Sequence, residues 1–175
     1  MKSPLPLLWL LILWLLAGCA SVTVQDYAAE RPKFDMRTYF DGRLVAHGVV
    51  QDRSGKVIRR MRVDMTARWD GNVLTLDEDF VYADGGKERR VWTIRKDGDR
   101  YVGTAADVVG EARGEAAGNA LNWRYVLRLP DAQGGWALDF DDWMWQLDER
   151  VMINRARFSK FGIHFGEVLI TFYKQ

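Results

Sequence analysis

The chain has 175 residues, with 25 Lys and Arg against 24 Asp and Glu, a formal net charge of +1 and 48% hydrophobic residues. Charge this evenly balanced supplies no field to attract a polyanion, which argues against nucleic acid as a partner. The single cysteine, Cys19, excludes disulfides within the chain and thiolate metal clusters, and the length suits one domain that buries roughly two thirds of its unfolded surface.

Taken in chain order, the first feature is Lys2, followed by an apolar run from Leu5 to Leu16 and small residues before Cys19. This is the layout of an export signal, and the run is too short to cross a bilayer comfortably. Leu16-Ala17-Gly18-Cys19 resembles the lipobox of bacterial lipoprotein signal peptides. That resemblance implies cleavage after residue 18 and lipidation of Cys19, by a diacylglyceryl thioether and an amide-linked acyl chain such as palmitate. Two or more chains anchor a protein stably where one binds marginally. Ala20 stands where an inner-membrane retention aspartate would be, so the expected location is the periplasmic face of the outer membrane. Loss of residues 1–18 removes one charge, Lys2, and leaves 24 basic against 24 acidic residues. Residues 19–33 are small and polar with Pro32 near the end, and read as a lipidated N-terminus and flexible tether with a reach of about 40 Å at about 3.3 Å per residue.

From residue 34 to 175 the dominant signal is a series of turn clusters, among them Arg53-Ser54-Gly55-Lys56, Asp70-Gly71-Asn72, Asp84-Gly85-Gly86 and Asp97-Gly98-Asp99. Such pairs supply the positive φ that tight hairpins need. The stretches between them are too short for crossover helices, so neighbouring strands are antiparallel. Alternation assigns faces: Leu44, Ala46 and Val50 oppose Arg43, His47 and Gln51, and Met61, Val63, Met65, Ala67 and Trp69 oppose Arg60, Arg62, Asp64 and Arg68. Leu74, Leu76, Phe80 and Tyr82 form a third apolar row, Trp92 and Ile94 a fourth, and Leu121, Trp123, Tyr125 and Leu127 a later one. Arg100 to Gly118, rich in Ala and Gly, reads weakly.

Residues 136–147 begin with Trp136, Leu138 and Phe140 on one parity and end with Trp143, Trp145 and Leu147 on the other. A β-bulge near Asp141-Asp142 would return both halves to the core. The last run, Glu167 to Lys174, is apolar on both parities and is expected to be covered on both faces while closing the sheet. The one helix candidate is a turn around Ser159 to Gly162. The expected fold is therefore all-β: an antiparallel up-and-down barrel of about nine or ten strands with little helix, its interior sized for side chains or one small ligand.

Familiar catalytic and cofactor motifs are missing from the sequence, so no cofactor is expected and enzymatic activity is the less favoured reading. His47 has the solvent parity of its strand, and His164 lies far from it in sequence. Asp139, Asp141 and Asp142, beside Trp143-Met144-Trp145, admit three readings: an acid and base pair, ligands of a hard cation, or solvated residues around the bulge. Glu78 shares the parity of Leu76 and Phe80, where a charge must be paired. Either a local bulge turns it outward, or a partner such as Arg155 meets it inside. Arg155 beside Tyr125 is also a candidate clamp for a lipid carboxylate or phosphate. Trp143, Met144 and Trp145 cannot all face inward, so one indole at least belongs near a rim, a loop or the membrane interface.

The lipobox, the run from Phe40 to Gly48, the Asp52 to Gly55 turn and the Asp139 to Trp145 segment together resemble a family of proteobacterial lipoproteins catalogued as domain of unknown function 3833. The resemblance covers nearly the whole chain. It implies a lipocalin-like barrel, and a role in envelope lipid metabolism because its members are often encoded near genes for cyclopropane fatty-acid synthesis. It brings no catalytic residues. The leading expectation is a membrane-anchored barrel that binds or carries a lipid or fatty-acyl ligand, with Trp123, Tyr125, Trp143, Trp145, Arg155 and Glu78 as candidate contacts. The alternatives are an assembly lipoprotein that docks a membrane enzyme through an apolar patch around Trp143 and Trp145, and a hydrolase using Asp139, Asp141 and Asp142.

Overall fold

The computed structural model describes residues 21–175; Cys19 and the export signal lie outside the described residues. Ten strands follow one another: β1 (Gly42–Asp52), β2 (Val57–Asp70), β3 (Val73–Tyr82), β4 (Lys87–Asp97), β5 (Arg100–Thr104), β6 (Ala112–Ala117), β7 (Ala120–Arg128), β8 (Ala137–Gln146), β9 (Val151–Lys160) and β10 (Ile163–Lys174). Each pairs with the next, and β10 pairs with β1 from Leu44↔Lys174 to Asp52↔Gly166, closing the barrel. The all-β antiparallel barrel expected from the turn rhythm is what forms, and closure leaves no edge strand exposed. Gly71 and Gly98 carry φ of +57° and +61° at two of the tight turns, a conformation that a side chain disfavours.

The weakly reading stretch from Arg100 to Gly118 is β5 and β6. A Cβ on Gly103 or Gly114 would come within 2.9 Å or 2.4 Å of the Trp123 indole. The glycines leave the space that this indole occupies, so their strands have no apolar row of their own to show.

One end of the barrel is plugged. The short helix α1 (Met36–Tyr39) starts at Asp35, whose carboxylate accepts from the Arg37 backbone N–H, and it buries Met36 and Tyr39 beside Phe34 and Phe40. The Tyr39 hydroxyl lies 3.1 Å from the Arg150 carbonyl and 3.2 Å from that of Phe172, and the Trp69 indole donates to Phe40 O at 2.7 Å. These bonds hold the plug against the turns that join β2 to β3 and β8 to β9.

Four expectations are corrected. Residues 24–33 are not a free tether: Val24–Tyr27 forms a 3-10 turn with Val24 buried, Tyr27 packs on Trp143 and Trp145, and Phe34 N–H donates to Gly118 O at 2.7 Å. The Ser159 to Gly162 helix candidate is instead the end of β9 and a hairpin turn with φ of +52° at Phe161 and +75° at Gly162. The outer row of β10 is only partly covered, with Leu169 and Thr171 half-buried and Tyr173 42% exposed, whereas Val168, Ile170 and Phe172 face in as the alternation requires. Finally, β8 contains no bulge. It pairs without a shift with β7 from Ala120↔Trp145 to Arg128↔Ala137, and with β9 from Asp139↔Ser159 to Gln146↔Met152. Leu138, Phe140, Asp142 and Met144 therefore point inward, while Trp143 and Trp145 point out. They avoid water because Tyr27 lies on them, at 5.9 Å and 6.3 Å between ring centroids. Trp136 is neither in the strand nor in the core: it is 48% exposed, with Lys160 Nζ 4.4 Å from its ring.

Candidate functional site

Above the plug the barrel encloses a cavity of about 1080 Å³, reaching from Met36 and Phe40 to the opposite rim at Ile58 and Pro130. Its wall is mostly apolar, with Met65, Leu76, Phe80, Trp92, Val168 and Ile170 among the lining residues. Aromatic rings run around one side: Trp123 meets Trp92 at 5.7 Å, Trp92 meets Tyr125 at 5.5 Å, Tyr125 stacks on Phe140 at 4.9 Å, and Phe140 meets Phe158 at 5.5 Å. These residues come from β4, β7, β8 and β9, where strand alternation turns every second side chain inward.

Half-way along the barrel the apolar wall is interrupted by a polar cluster. Glu78 on β3 stands opposite Arg90 on β4, with Oε2 4.0 Å from Nη1. Arg90 is clasped by Asp107 from the loop between β5 and β6: Nε lies 3.1 Å and 2.9 Å from the two carboxylate oxygens and Nη2 lies 2.8 Å from Oδ2. Asp142 on β8 accepts from the Asn154 amide of β9 at Oδ1, and the Tyr125 hydroxyl lies 3.5 Å from its Oδ2. The Asn154 amide also donates to Trp143 O at 3.2 Å.

The two buried carboxyls are poor acids. Burial pushes Glu78 up to about 7, with Arg90 pulling it down and Asp107 pushing it further up. Burial likewise pushes Asp142 up to about 7, against the Asn154 hydrogen bond and with the charge of Glu78. Burial works against the charged form of Arg90, yet its bond to Asp107 and the charge of Glu78 hold it above its usual range. The Tyr125 hydroxyl is raised well above 10, first by burial and then by Asp142. The groups influence one another and act as a single unit.

Trp123, Tyr125 and Glu78 thus lie inside the barrel, among the residues that line the cavity. Glu78 is 9% exposed on an unbroken strand pair, so the bulge that would have turned it outward is absent. Trp143, Trp145 and Arg155 are on the outer surface and cannot line the cavity. Arg155 opposes Trp143 across β8 and β9, and its guanidinium lies over the Trp145 ring at 5.6 Å; the inward partner of Glu78 is Arg90. The three aspartates divide: Asp142 faces in, whereas Asp139 and Asp141 face out. Burial would raise Asp141, but bonds from Asn122 at 2.8 Å and Arg124 at 3.0 Å hold it below the usual range. The sheet separates this carboxyl from Asp142, and the pair cannot share a proton or a substrate. Among the described residues no three His, Cys, Asp or Glu side chains converge to hold a metal ion. His47 is exposed on the outer face, as its parity requires.

Sequence reading missed Arg90, Asn154 and Asp107. Arg90 precedes Trp92 by two residues, so it had the inward parity and could have been found; β9 carries Val151 and Ile153 on one parity and Met152 and Ala156 on the other, so alternation pointed as readily to Arg155 as to Asn154. Asp107 sits in a loop, where no alternation exists to place it.

The fold has counterparts among solved structures. A protein of unknown function from the DUF3598 family of Nostoc punctiforme superposes with a TM-score of 0.63 at 14% identity, covering 84% of this chain and 51% of its own; this chain spans about half the length of that one. The S-type phycobiliprotein lyase of Guillardia theta gives a TM-score of 0.60 at 7% identity, covering 89% of this chain and 98% of its own. At such identities the likeness is one of fold. No curated protein shows significant sequence similarity to this chain. The model of the family described as "Protein of unknown function (DUF3833)" matches residues 13–174, and the chain belongs to that family.

Proposed function

We propose that the protein is a lipid-anchored envelope protein that holds one elongated, largely apolar ligand, such as a lipid or fatty-acyl compound, inside its barrel. The observation that carries this reading is the cavity of about 1080 Å³, just above the roughly 300–1,000 Å³ typical of small-molecule sites. A mostly apolar wall with a few convergent polar groups is the composition such sites have. Anchorage rests on the lipobox resemblance at Cys19, and a role in envelope lipid metabolism on the family resemblance. The docking alternative has less support, because of the two indoles expected to centre its patch Trp143 is 6% exposed and Trp145 half-buried, both against Tyr27.

Native mass spectrometry of the full-length protein, with denaturing lipid extraction of the same sample, tests the reading. A stoichiometric lipid is expected, and Val168→Trp, which places an indole in the cavity, removes it while the circular dichroism of the barrel is retained. A ligand-free wild-type mass, with no uptake of added lipid, overturns the reading. Labelled palmitate is expected to enter the wild type and not Cys19→Ser.

A further inference from the structure

The polar cluster in the cavity has an unusual charge balance for a lipid-binding barrel. Three carboxyls converge on it, Glu78, Asp107 and Asp142, against one guanidinium, Arg90. That guanidinium is already taken, since Asp107 engages it through both Nε and Nη2. Arg59, nearer the rim, is engaged as well: it lies 3.3 Å from Asp84 and from Glu88, and stacks on the Tyr82 ring at 3.2 Å. Arg89 points outward to Asp77 at 2.6 Å, and Arg128 lines only the exposed rim. A carboxylate entering the middle of the cavity finds a cation already neutralised by Asp107 and two acids, Glu78 and Asp142, whose ionised forms it would repel.

The unused capacity is for the opposite charge. Glu78 is 9% exposed, its nearest cation is 4.0 Å away, too long for a hydrogen bond, and the donor beside it is the Trp92 indole. Oδ2 of Asp142 has one long contact, 3.5 Å from the Tyr125 hydroxyl. A carboxylate offers about four acceptor positions, so both acids have several to spare. Trp92 and Tyr125 meet edge to face, 5.5 Å apart, on the wall beside them, and the faces of such rings attract cations.

We propose that the cavity selects an amphiphile with an ammonium head, seated against Glu78, Asp142 and the Trp92 and Tyr125 rings, over one with a carboxylate head. This rests on the reading of the barrel as a lipid-binding site. The ammonium restores the ionised form of both acids, so its binding strengthens as pH rises through the range in which Glu78 and Asp142 titrate. The charged and titratable groups facing the head are Glu78 from β3, Arg90 from β4, Asp107 from its loop, Tyr125 from β7 and Asp142 from β8. β9 contributes the neutral Asn154, and β2 and β10 contribute apolar Met65 and Val168.

The test uses the full-length protein held in an amphipathic polymer, with dodecylamine, dodecanol and dodecanoate titrated below their aggregation limits and followed by tryptophan fluorescence. Dodecylamine is expected to bind about tenfold tighter than dodecanoate near neutral pH, a difference of about 1.4 kcal/mol. Its affinity rises between about pH 5.5 and 8.5 while that of dodecanol stays level. In Glu78→Gln/Asp142→Asn the amine preference and its pH slope are lost while dodecanol still binds, which shows the cavity intact. Lysophosphatidylethanolamine, as a fourth probe, tells the ammonium of an amino lipid from that of a free amine by which of the two binds tighter. Dodecanoate binding as tightly as dodecylamine, or an amine preference that survives the double substitution, overturns the proposal and leaves the lipid-binding reading standing. Failure of all the probes overturns both.

Discussion

Asp142 shows what one side chain decides in this barrel. Its neighbours Trp143 and Trp145 invite a register in which the indoles face in and the carboxyl faces out, yet the structure has the reverse. The reason is Tyr27, which covers the indoles from outside, so an apolar side chain on this strand need not be an inward one. With Glu78, Asp142 then binds protons more strongly in the folded chain than in the unfolded one, and the linkage has a definite sign. Between the ordinary carboxylate range near pH 4 and about pH 7 the folded state holds the extra protons, so stability falls as pH rises and levels off above. Carboxyls held low, such as Asp35 and Asp141, act in the other direction and only below that window. The urea midpoint of the ligand-free protein is expected to drop between about pH 5 and pH 8, by an amount bounded at on the order of 3 kcal/mol per group. In Glu78→Gln/Asp142→Asn it should stay nearly flat and exceed the wild type at pH 8, because two buried charges are gone. A wild-type midpoint independent of pH over that interval contradicts the assignment.

At the scale of elements, the hairpin rhythm and the alternation of β1 to β4 and β7 were legible because each strand there has one wet face and one buried face. β5, β6 and β8 were not, and each has a neighbour to blame. The Trp123 indole fills the space over Gly103 and Gly114, while the N-terminal segment covers β8 from outside. Chain preceding the barrel thus completes its wall, and Gly118 is where it docks. A Cβ on Gly118 would lie 1.6 Å from Tyr27 O and 3.2 Å from Glu30 N, at a φ of +54°. Gly118→Ala is expected to lift residues 24–33 from the barrel and to cost about 1–2 kcal/mol in backbone strain alone. The checks are a red shift of tryptophan emission as Trp143 and Trp145 meet water, and faster proteolysis in that segment. Unchanged emission would mean that the segment is not what keeps the indoles dry. In the anchored protein proposed above, this docking would leave only residues 20–23 between Cys19 and the docked segment.

The described residues form a barrel stoppered at one end by α1 and open toward the other, with the polar cluster between. Such an interior is not at its most stable when empty, because its wall lacks the contacts a filled core would give. A ligand that fills it at about 100 times its dissociation constant adds about 2.7 kcal/mol, and at this chain length about 2–4 °C follows per kcal/mol. The copurified lipid, added back to stripped protein, is therefore expected to raise the melting temperature by about 5–10 °C. Val168→Trp separates filling from recognition. The indole replaces part of the missing contact, so the stripped variant should melt no lower than the stripped wild type, while the shift on adding lipid falls below about 2 °C. If the variant is stable and keeps the full shift, the lipid sits outside the barrel, and the exposed Phe161, Ile163 and Phe165 at the mouth become the surface to examine. If the variant instead melts far below the wild type, the cavity wall is more tightly packed than its volume implies, and the protein has little room for a guest.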